Sequence, residues 1–217
     1  MSEFRVCPDS GFYFHRSAES LMKINAVTGI VALLLAGVLA MGVVLTRWQE
    51  VHLLRAYAFY MFLTCHGINA LIFWFIFFER AVLHFASSTL LRCRIATPQW
   101  AVAGYFLMLI GAIMNNVAVF SGNSSVMMTS YVPMQAEPHF YLGLILFAVG
   151  ALIQVFVFFG TLVIAQQEKT YEGSVPLVTF GAITAAIIAV FTIASGAIIL
   201  IPTFLWAVGY VSHIDAE

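Results

Sequence analysis

Charge-free stretches set the layout of this chain. The first covers residues 24–46 and is closed by the cluster "RWQE"; the second covers 56–78, with room to continue as helix past Glu79 and Arg80. A basic loop, "LLRCRIATPQ", follows, after which no charge appears until Glu137. That run is too long for a single crossing, because about 20 mainly apolar residues span a bilayer. The cluster "SGNSS" at 121–125, with Pro133 and Pro138 beyond it, divides the run. A third helix is expected over 97–120, then a non-helical loop, then a fourth helix over 139–166 ended by "QQEKTYEGS". Pro176 suits the first turn of a fifth helix over 175–201, with Pro202 near its far end. No turn signal divides the stretch up to Ile214, so it reads as one long or tilted helix rather than a hairpin. The expected fold is an all-α integral membrane protein. Five transmembrane helices (24–211) lie between an amino-terminal surface tail (1–23) and a short extracytoplasmic tail (212–217).

Composition agrees with this layout. The chain is 62% hydrophobic and 9% charged, against roughly a quarter charged in soluble globular domains. A net charge of −1 without a basic cluster argues against a nucleic-acid partner. The positive-inside bias orients the bundle. Arg5, Arg16, Lys23, Arg80, Arg92, Arg94 and Lys169 fall on one side, Arg47 and Arg55 on the other, so seven against two puts the amino terminus in the cytoplasm. The first twenty residues lack the early apolar run and small-residue cleavage site of a signal peptide. Cys7, Cys65 and Cys93 are widely spaced and odd in number, which suits buried filler better than a disulfide or zinc framework.

Polar side chains inside apolar spans carry the functional signal. His66 stands in "FLTCHGINALIFWFIFF", near the middle of the second span. It shares a helix face with Phe59, Phe62, Leu63, Asn69, Ala70 and Phe73. Gly67 and Ala70 leave a small-residue gap between these aromatics. Such a gap suits either a flat macrocycle set edge-on or a neighbouring helix. Spacing alone leaves open both a haem ligand and a histidine hydrogen-bonded across a helix interface. A haem ligand needs a neutral ring with its other nitrogen tied to an acceptor; Asn69, Thr64 or a backbone carbonyl would serve. Asn115, Asn116 and Gln154 read as interhelical hydrogen bonders, and Glu79 as paired with Arg80 or snorkelling. His15, His52, His84, His139 and His213 fall in tails, loops or helix ends. Trp48, Trp100, Tyr171, Trp206 and Tyr210 suit an interfacial belt. No catalytic triad, phosphate loop or carboxylate pair can be assembled.

"LTCHGINALIF" resembles the second helix of haem-copper oxygen reductase subunit I. "TSYVPMQAEPHFYLG" resembles that family's "YPPL" loop leading into its fourth helix, with Val132 in place of the first proline. "VPLVTF" resembles the start of the fifth helix in the B-type branch. The resemblance runs from about Ile24 to Tyr210 and implies the amino-terminal half of a cytochrome c oxidase-type subunit I. It implies His66 as an axial ligand of a low-spin haem (b or a type), and Tyr131 near the oxygen pocket. The family's motifs for the copper site, the high-spin haem and the second low-spin ligand are not in this sequence. Copper and the high-spin haem are therefore expected on a second chain carrying the remaining helices. A copper-binding electron-entry subunit and a periplasmic donor such as cytochrome c are further implied partners. The location implied is a prokaryotic cytoplasmic membrane, and this chain is not expected to be catalytic alone. Two alternatives remain at this point: a non-redox membrane scaffold, or a nitric oxide reductase-like electron-transfer subunit.

Overall fold

A computed structural model describes residues 4–131 and 134–212. Five helices long and apolar enough to cross a membrane account for most of it: α1 (Arg16–Arg47), α2 (Ala56–Thr89), α3 (Pro98–Phe120), α4 (Pro138–Gln167) and α5 (Leu177–Val208). The order and number agree with the charge-free runs. The ends differ in instructive ways.

α1 begins well before Ile24. Its first turns carry Glu19 and Lys23 four residues apart, paired at 2.7 Å, a spacing that supports a helix on its own. Before it lies a hairpin, β1 (Phe4–Val6) and β2 (Tyr13–His15), in antiparallel register with Arg5 opposite Phe14. Arg5 closes onto Glu19 with two hydrogen bonds of 3.1 and 2.6 Å, and Phe12 packs edge-on against Phe85. The segment expected as a surface tail is thus a hairpin docked on α1 and the end of α2.

α2 runs on past Glu79 and Arg80, eleven residues beyond the expected Phe78. The charged pair does not end the helix because it is internally neutralised: Arg80 Nη2 lies 2.9 Å from Glu79 Oε2. Of the two readings for Glu79, pairing is the one the structure shows, and its partner Arg80 is 1% exposed. Removing it from the loop count leaves six basic residues against two, and the orientation keeps its sign. His84 is likewise brought inside, 1% exposed, rather than lying in a loop. A wider, π-helical stretch interrupts α2 at Ile68–Phe73, and a second, Phe85–Thr89, ends it.

α3 and α4 form the tightest seam. A Cβ added at Gly104 would stand 2.8 Å from Gly150 O, and one at Gly143 would stand 2.9 Å from Gly111 O. Each pair meets reciprocally, with both members of a helix seven residues apart, so the antiparallel backbones touch at two levels. α5 keeps Pro202 inside the helix, where the Thr203 hydroxyl donates to Ile199 O at 2.7 Å beside the missing N–H. Gly209, at φ +90°, ends it in the left-handed conformation. Half of α4's most apolar stretch is buried, against 6% of α5's. α4 is the axis of the bundle and α5 its outer wall.

Candidate haem-ligand site

His66 occupies the last full α-helical turn before the π-stretch of α2. Its Nδ1 lies 2.9 Å from the carbonyl oxygen of Ala36 on α1. A carbonyl can only accept, so Nδ1 carries the proton and, in the neutral ring, Nε2 carries the lone pair. Nε2 has no hydrogen-bond partner among the described residues, and the ring is half-buried. Of the acceptors that the sequence offered, the backbone carbonyl is the one used.

Asn69 has a different task. Its Nδ2 donates to Cys65 O at 2.8 Å and to Asn116 Oδ1 at 2.7 Å, while Asn116 Nδ2 returns a bond to Asn69 Oδ1 at 3.3 Å. Cys65 Sγ also donates to Asn116 Oδ1, at 3.0 Å. This reciprocal amide pair bolts α2 to α3 less than one turn from His66 and fixes the rotation of α2 about its axis. With that rotation set, the imidazole faces α1. Asn115 instead bonds within its own helix, to Gly111 O at 3.0 Å. Gln154 does cross helices, its Oε1 accepting from His84 Nε2 at 3.0 Å while its Nε2 donates to Met108 Sδ at 3.3 Å.

The loop between α3 and α4 crosses directly over the site. Thr64 Oγ1 accepts from Met127 N at 2.9 Å and donates to Tyr60 O at 2.8 Å. Met128 then covers Gly67, where an added Cβ would lie 2.8 Å from Met128 Cβ. The gap read at Gly67 is thus filled by this loop and is not open to a macrocycle; the free edge of His66 is its Nε2. Nothing in the sequence marked Met128 for this role, because the contact joins residues about sixty apart. Tyr131 is 69% exposed, and its carbonyl accepts from Met134 N at 3.0 Å. The structure does not bring it together with His66. Val132, the departure from the loop motif, and His213 lie outside the described residues.

His139 and His52 are exposed, Cys65 and Cys93 are buried and free, and Cys7 is half-exposed. No cluster of three or more His, Cys, Asp or Glu suited to a metal occurs among the described residues. His66 stands apart from any such cluster and offers a single neutral nitrogen, Nε2, whose lone pair is unused among the described residues. A hollow of about 640 Å³ lies between α2, α4 and α5 and is not lined by His66.

The family described as Cytochrome C and Quinol oxidase polypeptide I matches residues 20–215. The chain belongs to this family. Its match spans all five helices and supports the reading as an amino-terminal part of subunit I. A cryo-EM structure of a haem-copper terminal oxidase dimer is similar in fold, with TM-score 0.79 and 21% identity over 90% of this chain. The chain spans 34% of the length of that protein. No curated protein matches it.

Proposed function

We propose that this subunit I family member supplies one side of the low-spin haem site of a respiratory terminal oxidase of the B-type branch. His66 Nε2 is the axial donor, and further polypeptide supplies the second ligand, the high-spin haem and copper. A haem of b or a type held by His66 would supply electron transfer toward the haem-copper centre that reduces oxygen to water. The electrons arrive through a copper-binding entry subunit from a periplasmic donor such as cytochrome c, at a prokaryotic cytoplasmic membrane. Tyr131, in the loop that resembles the family motif, lies on the oxygen-access side in this reading.

One observation carries the proposal: the Ala36 carbonyl holds the Nδ1–H tautomer and leaves Nε2 as a free donor. A histidine that only bridges α1 and α2 would make the same bond, so the spectrum of the complex decides between the two roles. The test is optical spectroscopy of the complex purified from its membrane. His66→Leu is expected to abolish the low-spin haem bands while the five-helix bundle still inserts. An unchanged spectrum would assign His66 to a structural role and favour the scaffold reading.

A further inference from the structure

α1 and α2 leave an apolar groove of about 310 Å³ between them, walled by Met22, Lys23 and Ala26 on α1 and by Phe78, Val82 and Phe85 on α2. It opens where the helices part beyond Gly29, whose added Cβ would lie 3.2 Å from Trp74 O and 3.3 Å from Phe78 N. Lys23 stands six residues, about 9 Å, nearer the Arg16 end of α1, and it is the last charge before the charge-free run. It therefore marks the mouth of the groove at the membrane interface. The hairpin borders this end: Phe12 packs edge-on against Phe85, and Phe12 and Tyr13 are exposed, as aromatic rings are at a headgroup layer. The charges at the mouth do not cancel. Arg5 Nη2 and Lys23 Nζ both donate to one oxygen, Glu19 Oε1, at 2.6 and 2.7 Å, and the Lys23 side chain stays 70% exposed. Arg16, also exposed, lies two turns before Lys23 on the same face of α1. Over residues 4–23 these three cations face two carboxylates, Asp9 and Glu19. Arg92, 5.3 Å over the Tyr13 ring, brings a further cation to the hairpin.

We infer that this groove holds an anionic phospholipid, with one acyl chain between α1 and α2 and its phosphate on Lys23. The charge selects the class. Basic pockets between membrane helices bind anionic head groups, whereas a zwitterionic head would bring its own ammonium to a mouth already in surplus of cations. Lys23 suits the task because its stem runs along the apolar wall while its ammonium reaches the headgroup layer. A further helix is the poorer occupant. α1 contributes only Met22 to Ala26, about 6 Å of wall, whereas a helix with its side chains is about 10 Å wide. Phe78, Val82 and Phe85 are also bulky, unlike the small residues that admit a second backbone. A flexible acyl chain can follow such a notch; a rigid helix cannot.

The experiment places the purified complex in nanodiscs of equal phosphatidylglycerol and phosphatidylcholine, each carrying a diazirine in the first half of one acyl chain. After irradiation, adducts are mapped by mass spectrometry at Phe78 and Val82, and at Val31, an exposed α1 residue outside the groove. Phosphatidylglycerol adducts should exceed phosphatidylcholine adducts about fivefold at Phe78 and Val82, the preference expected of one surplus cation, and should match them at Val31. Lys23→Gln should bring the groove ratio down to that at Val31, while Lys23→Arg keeps it high. Ala26→Phe should fill the notch and deplete both groove adducts. The Val31 adducts report that each variant still inserts. Equal labelling by the two lipids at Phe78 and Val82, or a preference indifferent to Lys23→Gln, would overturn the inference. So would the lack of any lipid adduct there, which would show the groove covered by polypeptide.

Discussion

Replacing Gly111 or Gly104 by alanine tests the framework that aims His66. An added Cβ at Gly104 would lie 2.8 Å from Gly150 O, and one at Gly111 would lie 2.7 Å from Phe147 N and closer still to Gly143 O. Ordinary contact begins near 3.4 Å, so the backbones must separate by the difference, about 0.6 Å at Gly104. A radial gap of that order forfeits a quarter to a half of the dispersion energy of each opened contact. Overpacking of this kind costs about 1–3 kcal/mol. Helix propensity acts the other way, by about 1 kcal/mol in favour of alanine. The net expectation for Gly104→Ala or Gly111→Ala is destabilisation of up to about 2 kcal/mol. Gly37→Ala and Gly181→Ala are the controls, since an added Cβ there meets nothing within 4 Å. Those two should be neutral or mildly stabilising. The assay is reversible unfolding in mixed micelles of increasing denaturing detergent, followed by circular dichroism. If all four variants shift the midpoint in the same direction, close backbone approach does not hold α3 to α4, and the argument for a rigid platform behind Asn116 fails with it.

Three further outcomes follow from the same geometry. Asn69→Ala and Asn116→Ala should each destabilise the bundle, with a coupling of about 0.6–1.7 kcal/mol in a double-mutant cycle, and additive effects would refute the reciprocal amide pair. Thr64→Val removes the acceptor for Met127 N, and hydrogen exchange at Met127 should rise about tenfold, a loss of about 1.4 kcal/mol; unchanged protection would show that the loop is held otherwise. The cysteines should alkylate in a fixed order. Cys7 has its thiol pKa lowered by the Ser10 hydrogen bond, whereas burial pushes that of Cys93 up to about 12. The thiolate is the nucleophile, so at pH 8 iodoacetamide should label Cys7 first. Cys93 labelling should climb as the pH rises from the ordinary thiol range toward 12, and faster labelling of Cys93 in a mass-spectrometric time course would contradict the structure.

The spans were legible because a bilayer imposes one rule on every segment that crosses it. Long charge-free runs, broken by "SGNSS" and bounded by basic clusters, admit few other readings. The same rule made His66 conspicuous, since an imidazole in such a run is costly without a purpose. Helix ends were less legible where charges pair with each other. Glu79 and Arg80 look like a boundary in one dimension, yet they neutralise one another and let α2 continue to Thr89. What the tertiary structure alone decided is the chemistry of the imidazole. Ala36 lies thirty residues away, Asn116 fifty from its partners, and Met128 some sixty from the glycine it covers. A tautomer is chosen by the group at hydrogen-bond distance, and that distance exists only once α1, α3 and the loop are packed around α2. The amino-acid order could say that a nitrogen donor sits in the membrane; only the packing says which nitrogen is free.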